Sequence, residues 1–252
     1  MKKSTTALLF AIVTLVTATA CGDATGPEDG TMLTLSLVTP APPASPAPGL
    51  HSVVTQTDGS NTLEFTRVAL VMREIELELA SGDGCDDMGD IDDDCEEFEV
   101  GPLLLELPLD GSVSHVVSIE IPAGTYDEIE FDIHKAELPE DQAFLAQHPD
   151  FEGVSIRVEG TWNSEVFVFL QDLDEEQEIE LNTPLVIGEE SEANNVTLEM
   201  DIGTWFLGEG GLLVDPRTAN DGGENEGLVE HNIKQSIEAF EDDDEDGEDD
   251  DD

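Results

Sequence analysis

Apolar and polar residues alternate along most of the chain between residues 63 and 206. Strict alternation with a period of two is typical of β-strands that bury one face and expose the other. The alternation changes phase between Met72 and Ile75, which predicts a β-bulge or a turn there. The apolar positions that define the predicted strands are Leu63, Phe65, Val68, Leu70, Met72, Ile75, Leu77, Leu79, Val117, Ile119, Ile121, Ile129, Phe131, Ile133, Val154, Ile156, Val158, Ile179, Leu181, Val196, Leu198, Met200 and Ile202.

Turn-forming sequences separate these runs and indicate how the strands are connected. Residues 166–170 are apolar at every position, which favours a central strand with both faces buried. Many short strands joined by tight turns predict an all-β fold, an antiparallel β-sandwich or, alternatively, a barrel. The turn signals are Asp58-Gly59, Asp110-Gly111, Pro122 to Gly124, and Glu159-Gly160.

A proline-rich segment, residues 39–49, follows three alternating leucines at 33, 35 and 37. Five prolines in eleven residues make this segment extended and semi-rigid. It is either a stalk ahead of the domain or a long loop within it. Because the leucines need a partner surface to bury against, the loop is favoured, and the β-sandwich domain is predicted to span residues 31–240.

Helical patterns are expected in two places. One short helix is predicted over residues 140–147, stopped by Pro149, and a second over residues 228–240. Residues 241–252 contain eleven acids in twelve positions, which predicts an acidic, disordered tail. The apolar face of the second helix is formed by Val229, Ile233, Ile237 and Phe240.

The N-terminus has the three parts of a secretory signal peptide. Lys2 and Lys3 form a basic start, an apolar run follows over residues 7–16, and small residues at 18–20 precede Cys21. The apolar run is far shorter than the ~20 residues that a helix needs to cross a bilayer. Residues 1–20 are therefore expected to direct export and to be removed.

Small residues followed by Cys21 resemble the lipobox of bacterial lipoproteins, although Ala18 stands where leucine is favoured. The resemblance implies a diacylglycerol on the sulfur of Cys21, an acylated amine, and a lipid-anchored linker over residues 21–30. An ordinary cleavage site is the alternative, and it would leave a free, reactive thiol. The expected location is the bacterial cell envelope, periplasmic or surface-exposed, with the membrane as a partner through the lipid.

The chain is strongly acidic, with 61 Asp and Glu against 8 Lys and Arg and a formal net charge of −53. Loss of Lys2 and Lys3 with the signal peptide makes the mature chain more acidic still. Such a surface repels nucleic acids and anionic headgroups. Divalent cations or a basic protein are the expected partners, and no nucleic acid is expected.

Three stretches of the predicted domain resemble the uncharacterised DUF4382-like envelope lipoproteins of bacteria. They are residues 63–70, residues 121–129, and residues 195–198 ahead of Trp205 and Phe206. The likeness covers most of residues 31–240, but it consists of turns and core positions. It implies a β-sandwich fold and no particular activity.

The two remaining cysteines, Cys85 and Cys95, enclose a run of aspartates. In an oxidising compartment they are expected to form a disulfide, which closes a short loop and stabilises the fold by roughly 3 kcal/mol. Zinc is disfavoured because no histidine is near. The loop either gathers carboxylates for Ca²⁺, with Asp90, Asp92 and Asp94 as candidate ligands, or it is a solvated acidic loop.

The acidic C-terminus matches part of a calcium-binding loop. Asp242, Asp244 and Asp246 fall at positions 1, 3 and 5, Gly247 at position 6, and Asp250 at position 9. Position 12 would be residue 253. In so acidic a segment aspartates occur at every spacing, so only the glycine carries information, and a solvated polyanion is the alternative.

A further acidic pattern runs along the predicted strand at Glu128, Glu130, Asp132 and His134. These side chains are expected to point outward. They form either one half of a metal or glycosidase site, or a solvent-exposed face of the sheet without a specific role, which is the favoured interpretation. The same holds for Glu74, Glu76 and Glu78. A glycosidase would need a second carboxylate placed by another strand.

No motif of a hydrolase nucleophile, a phosphate-binding loop or a zinc protease is present. The leading hypothesis is a non-enzymatic, membrane-anchored lipoprotein that binds Ca²⁺ or a partner protein. A polysaccharide-acting enzyme and a purely structural envelope protein are the alternatives.

Overall fold

The computed structural model describes residues 31–40, 53–80, 97–98, 100–188, 194–242 and 244–249. Strands account for 51% of the structure and helices for 14%, which confirms the all-β prediction. The strands form two sheets that do not close into a barrel, so the fold is a β-sandwich. Among the described residues, no helix is both long enough and apolar enough to cross a membrane.

The described part of the chain forms twelve strands and three short α-helices. The strands are β1 (Thr31–Val38), β2 (Val54–Thr57), β3 (Thr62–Leu79), β4 (Glu97–Phe98), β5 (Leu103–Glu106), β6 (Ser114–Ile121), β7 (Gly124–Ile133), β8 (Ile156–Trp162), β9 (Glu165–Gln171), β10 (Glu175–Ile187), β11 (Asn194–Met200) and β12 (Ile237–Glu241). The helices are α1 (Gln142–Leu145), α2 (Ile202–Trp205) and α3 (Glu226–Lys234), and single 3₁₀ turns occur at Pro149–Phe151, Glu209–Gly211 and Pro216–Thr218.

The first sheet has the strand order β12-β11-β1-β6. Its central pair, β1 and β11, is parallel, and the other neighbours are antiparallel. The leucines Leu33, Leu35 and Leu37 of β1 are buried in the main core. Because β1 is a strand of this sheet, the proline-rich segment connects two strands of one domain.

The second sheet has the order β10-β7-β3-β8-β9, and β2, β4 and β5 also pair with β3. The predicted phase change is confirmed as a bulge: the register of β3 against β7 shifts between Arg73 and Ile75, and Glu74 has a φ of 49°. The extra residue restores the buried face, so Met72 and Ile75 both point into the core.

Aromatic side chains form a cluster in the main core. The ring of Phe206 lies 5.2 Å from Phe169, 6.0 Å from Phe65 and 6.5 Å from Phe167, measured between centroids. The buried Trp205 donates its indole N–H to the Ser236 hydroxyl at 2.7 Å. Phe65, Phe167 and Phe169 belong to the second sheet, so these buried rings pack α2 and the residue after it onto that sheet.

The strand over residues 166–170 is not central, so that prediction is wrong. It is β9, at the edge of the second sheet. Phe167 and Phe169 are buried, whereas Val166 and Val168 are 79% and 39% exposed. β-branched valine suits a pleated strand even on a solvent-facing surface, so apolar residues at every position did not require two buried faces here.

The predicted helix over residues 228–240 is also wrong in its second half. The helix α3 ends at Lys234, and the chain from Ile237 onward forms β12, which pairs with β11. Ile237 and Ala239 are buried on one face of this strand. These apolar residues fit the period of a helix as well as that of a strand. The strand is formed because its backbone can hydrogen-bond to the edge of β11, which a longer helix could not do. The other predicted helix is present but covers only α1 within residues 140–147.

The ordered fold extends past the predicted domain end at residue 240. The strand β12 continues to Glu241, and Asp242 is completely buried. Residues 244–249 form turns beside it.

We expect Gly160→Ala to destabilise the fold strongly. A Cβ at residue 160 would lie 1.9 Å from the carbonyl oxygen of Glu64 and 3.0 Å from the Phe167 ring. Relief requires β8 to move away from β3, so the free energy of unfolding should fall by about 2 kcal/mol or more, measured by urea denaturation. Gly227→Ala is the control because no heavy atom lies within 4 Å of its Cβ position. Equal stability of the two variants would contradict the close approach of these strands.

Candidate functional site

The structure brings together three of the predicted calcium ligands at the end of β12. Asp242, Asp244 and Asp246 each offer a carboxylate oxygen, and these oxygens lie within 4.8 Å of one another. Oxygen ligands in such a group suit a hard divalent cation. We call residues 242–247 the acidic loop.

The carboxylate of Asp242 organises the acidic loop. It accepts the backbone N–H of Asp246 at 2.9 Å on Oδ1 and the backbone N–H of Gly247 at 3.1 Å on Oδ2. The Thr197 hydroxyl of β11 donates to the same Oδ2 at 2.8 Å. These bonds turn the chain back on itself and hold the first predicted ligand in one orientation.

Gly247 is required by this geometry. Its φ is +82°, a backbone conformation that residues other than glycine rarely adopt. A Cβ there would lie 3.0 Å from Val113 and 3.1 Å from Val38, so the loop packs closely on the first sheet. His115 of β6 also approaches the loop, with its Nε2 3.4 Å from a carboxylate oxygen of Glu245.

No basic side chain of the described chain is left over to neutralise Asp242. All six Lys and Arg of the described residues form ion pairs with other carboxylates, and none of these pairs involves Asp242. Asp242 is nevertheless 0% exposed. A buried carboxylate is costly unless hydrogen bonds or a cation compensate it. The donors described above supply part of that compensation, and a bound cation would supply more.

A cleft of about 550 Å³ borders the acidic loop. Its lining includes Glu180, Glu199, Glu238 and Asp249. Glu199 and Glu238 are directly opposed on β11 and β12, and burial together with the Glu238 charge raises the pKa of Glu199. The negative charge of this cleft raises the local concentration of cations beside the loop.

The other predicted site residues lie outside the described residues. They are Cys21, Cys85, Asp90, Asp92, Asp94, Cys95 and Asp250.

A second acidic group lies on the outer face of the second sheet. Glu78, Glu128 and Glu130 place carboxylate oxygens within 4.8 Å of one another. The register sets Glu130 between Glu76 of β3 and Glu178 of β10, so β7 carries carboxylates flanked by carboxylates on both sides. Burial raises the pKa of Glu130 to about 7, assisted by a hydrogen bond to Glu128 and by the charges of neighbouring glutamates.

His134 does not belong to this outer face, so its predicted outward position is wrong. It is only 4% exposed, and its Nε2 lies 2.9 Å from Oδ2 of Asp141. The other ring nitrogen, Nδ1, lies 3.4 Å from Asp174. Since β7 ends at Ile133, strand alternation no longer sets the direction of the next side chain.

Sequence reasoning missed a third acidic group and the support of the first. Asp172 converges with Asp221 and Glu226, which lie much further along the chain, so no spacing pattern could have linked the three. The sequence also gives no link between Thr197 and Asp242, because the two residues are 45 positions apart.

We expect Glu130→Gln to flatten the pH dependence of stability. A carboxyl whose pKa is raised in the folded protein stabilises it below the pKa of the unfolded chain, and that contribution is lost as pH rises towards 7. Urea unfolding of the wild type should therefore show falling stability from pH 5 to pH 8, with a smaller fall in the variant. Glu120→Gln, an exposed position on β6, should behave as wild type. Identical slopes for wild type and Glu130→Gln would contradict the raised pKa of Glu130.

The acidic loop is thus the described group in which a buried carboxylate, a required glycine and converging aspartates coincide.

Comparison with protein-family models, with curated proteins and with solved structures gave no match for this chain.

Proposed function

We propose that this protein is a lipid-anchored lipoprotein of the bacterial envelope whose acidic loop binds a divalent cation, with Ca²⁺ as the ion of best fit. The observation that carries the proposal is the convergence of Asp242, Asp244 and Asp246 within 4.8 Å around a loop closed by Gly247. The role is binding and not catalysis.

The donor set favours Ca²⁺ over transition metals. Three carboxylates are hard ligands, and neither His nor Cys belongs to the group, so zinc and copper have no soft donor there. The spacing of the aspartates and the glycine matches positions 1, 3, 5 and 6 of a calcium loop. Ca²⁺ also accepts irregular geometry and more ligands than Mg²⁺, which suits a loop completed by backbone carbonyls and water.

The Asp242 hydrogen bonds fit the first position of such a loop. Among the described residues, one carboxylate oxygen, Oδ2, receives two donors and is saturated, whereas Oδ1 receives only the Asp246 N–H. A carboxylate oxygen has about two acceptor positions, so Oδ1 keeps one for a cation.

The location rests on the N-terminal sequence. Residues 1–20 have the organisation of a signal peptide, and the small residues before Cys21 fit lipid attachment. Two or three acyl chains would hold the mature protein stably at the membrane. At the envelope, the acidic loop would meet the Ca²⁺ concentrations for which extracellular sites are adapted, with dissociation constants of ~10⁻⁴ to 10⁻³ M.

Millimolar Ca²⁺ should raise the unfolding temperature of the mature protein. At a hundredfold excess over its dissociation constant, one site adds ~2.7 kcal/mol to the free energy of unfolding. Differential scanning calorimetry with and without Ca²⁺ measures this, and NaCl at matched ionic strength controls for screening.

The matched variants are Asp246→Asn and Asp221→Asn. Each removes one charge from a three-carboxylate group, but only Asp246 belongs to the acidic loop. Asp246→Asn should lose most of the Ca²⁺-dependent shift, and Asp221→Asn should keep it. A shift that NaCl reproduces, or that survives Asp246→Asn, would remove the acidic loop as the site.

Cys21→Ser should move the protein from the membrane fraction to the soluble extracytoplasmic fraction, because no sulfur remains to carry the diacylglycerol. Fractionation of cells followed by immunoblotting measures the distribution, and Ser4→Ala in the signal peptide serves as a control. Continued membrane association of Cys21→Ser would place the anchor elsewhere.

A further inference from the structure

A continuous chain of buried hydrogen bonds leads from β1 to the acidic loop. Ser36 of β1 donates its hydroxyl to Oδ1 of Asn195 at 2.8 Å. Asn195 donates from Nδ2 to the hydroxyl of Thr197 at 3.0 Å, and Thr197 donates to Oδ2 of Asp242 at 2.8 Å. All four side chains are at most 1% exposed.

The chemistry of the groups determines which atom donates and which accepts in each bond of this hydrogen-bond chain. The Asn195 amide nitrogen also donates to the backbone carbonyl of Asp242 at 2.9 Å, and a carbonyl can only accept. The amide oxygen must therefore face Ser36, and the Thr197 hydroxyl, which already accepts from Asn195, is free to donate to the carboxylate. Each bond points towards Asp242, and hydrogen bonds aligned in series strengthen one another.

The hydrogen-bond chain affects the two oxygens of the Asp242 carboxylate differently. Among the described residues, Thr197 and the Gly247 N–H donate to Oδ2, and only the Asp246 N–H donates to Oδ1. Without the Thr197 hydroxyl, the two backbone N–H groups would still hold the carboxylate, but Oδ1 and Oδ2 would each have one donor and one open acceptor position. The hydroxyl therefore makes Oδ1 the oxygen that presents an open acceptor position.

We propose that Thr197, supported by Asn195 and Ser36, is a positioning residue of the cation site, so that a hydrogen-bond chain through the first sheet sets the affinity of the acidic loop. This inference rests on the proposed cation binding and adds to it three residues that do not touch the ion. Groups that hydrogen-bond to a metal ligand orient it and thereby set its affinity for the metal.

The same hydrogen-bond chain connects the acidic loop to β1. Ser36 and Thr197 are register partners on the parallel strands β1 and β11, and Thr197 is the partner of Phe240 on β12. Occupation of the loop would therefore tighten the contact of three neighbouring strands, and β1 is the strand that follows the expected anchor.

The test compares Thr197→Val, which removes only the hydroxyl, with Thr197→Ser, which retains it. Isothermal titration of the mature protein with CaCl₂ gives the dissociation constant of each. Thr197→Val should bind Ca²⁺ ~10 to 100-fold more weakly, the loss typical of removing a group that orients a metal ligand, and Thr197→Ser should remain close to wild type. Urea unfolding without Ca²⁺ records any purely structural effect.

Thr161→Val is the matched control. Thr161 of β8 also donates its hydroxyl to a carboxylate, that of Glu64, but on the other sheet. Both valine variants should lose some stability without Ca²⁺, and only Thr197→Val should lose affinity. If Thr197→Val does not fold, Ser36→Ala removes the far end of the chain, and a smaller loss of affinity in the same direction is expected.

The outcomes separate the two proposals. Wild-type protein that does not bind Ca²⁺ overturns the proposed function, and the positioning role with it. Wild-type binding that Thr197→Val, or Ser36→Ala in its place, leaves unchanged overturns the positioning role alone. Loss of affinity in Thr161→Val as well would show a general effect of stability and would equally overturn it.

Discussion

Repulsion between carboxylates constrains where nearly every polar side chain of this protein can lie. The chain has 61 acidic residues and only 8 basic ones. The six basic residues of the described fold each pair with at least one acid, and Arg67 contacts three, Glu106, Asp150 and Glu159. The remaining carboxylates must face water, find backbone donors, or take up a proton or a cation. A β-sandwich suits this requirement because every strand offers one wet face for acids and one dry face for the core.

Repulsion between carboxylates is relieved in different ways at the two main acidic groups. On the outer face of the second sheet, Glu130 lies between glutamates of both neighbouring strands, and the raised pKa means that a proton can relieve the repulsion. At the acidic loop, Asp242 receives donors from the backbone and from Thr197. A carboxylate oriented by such donors is suited to bind a cation, whereas one whose pKa is raised to about 7, as that of Glu130 is, is suited to respond to pH.

The position of the acidic loop couples it to the whole first sheet. It follows the edge strand β12 directly and covers buried polar groups of β11 and β1. Val38 and Val113 lie so close to Gly247 that a Cβ there would come within 3.1 Å of both side chains. A ligand at the loop would therefore act on the interior of the sheet, which a solvated tail could not do.

The amino-acid sequence by itself determined the all-β class, the bulge between Met72 and Ile75, and the calcium-like spacing that ends at Gly247, because each depends on residues close together in the chain. Residues that match two periods remained ambiguous: Ile237 fits a helix and a strand, and the free edge of β11 decided for the strand. The position of β9 at an edge, the burial of His134 against Asp141, and the contact of Thr197 with Asp242 depend on elements that meet only after folding. Spacing along the chain placed the three aspartates together, but only the tertiary structure decided that the first is buried, because burial and hydrogen bonding depend on the strands that the sheet brings beside it.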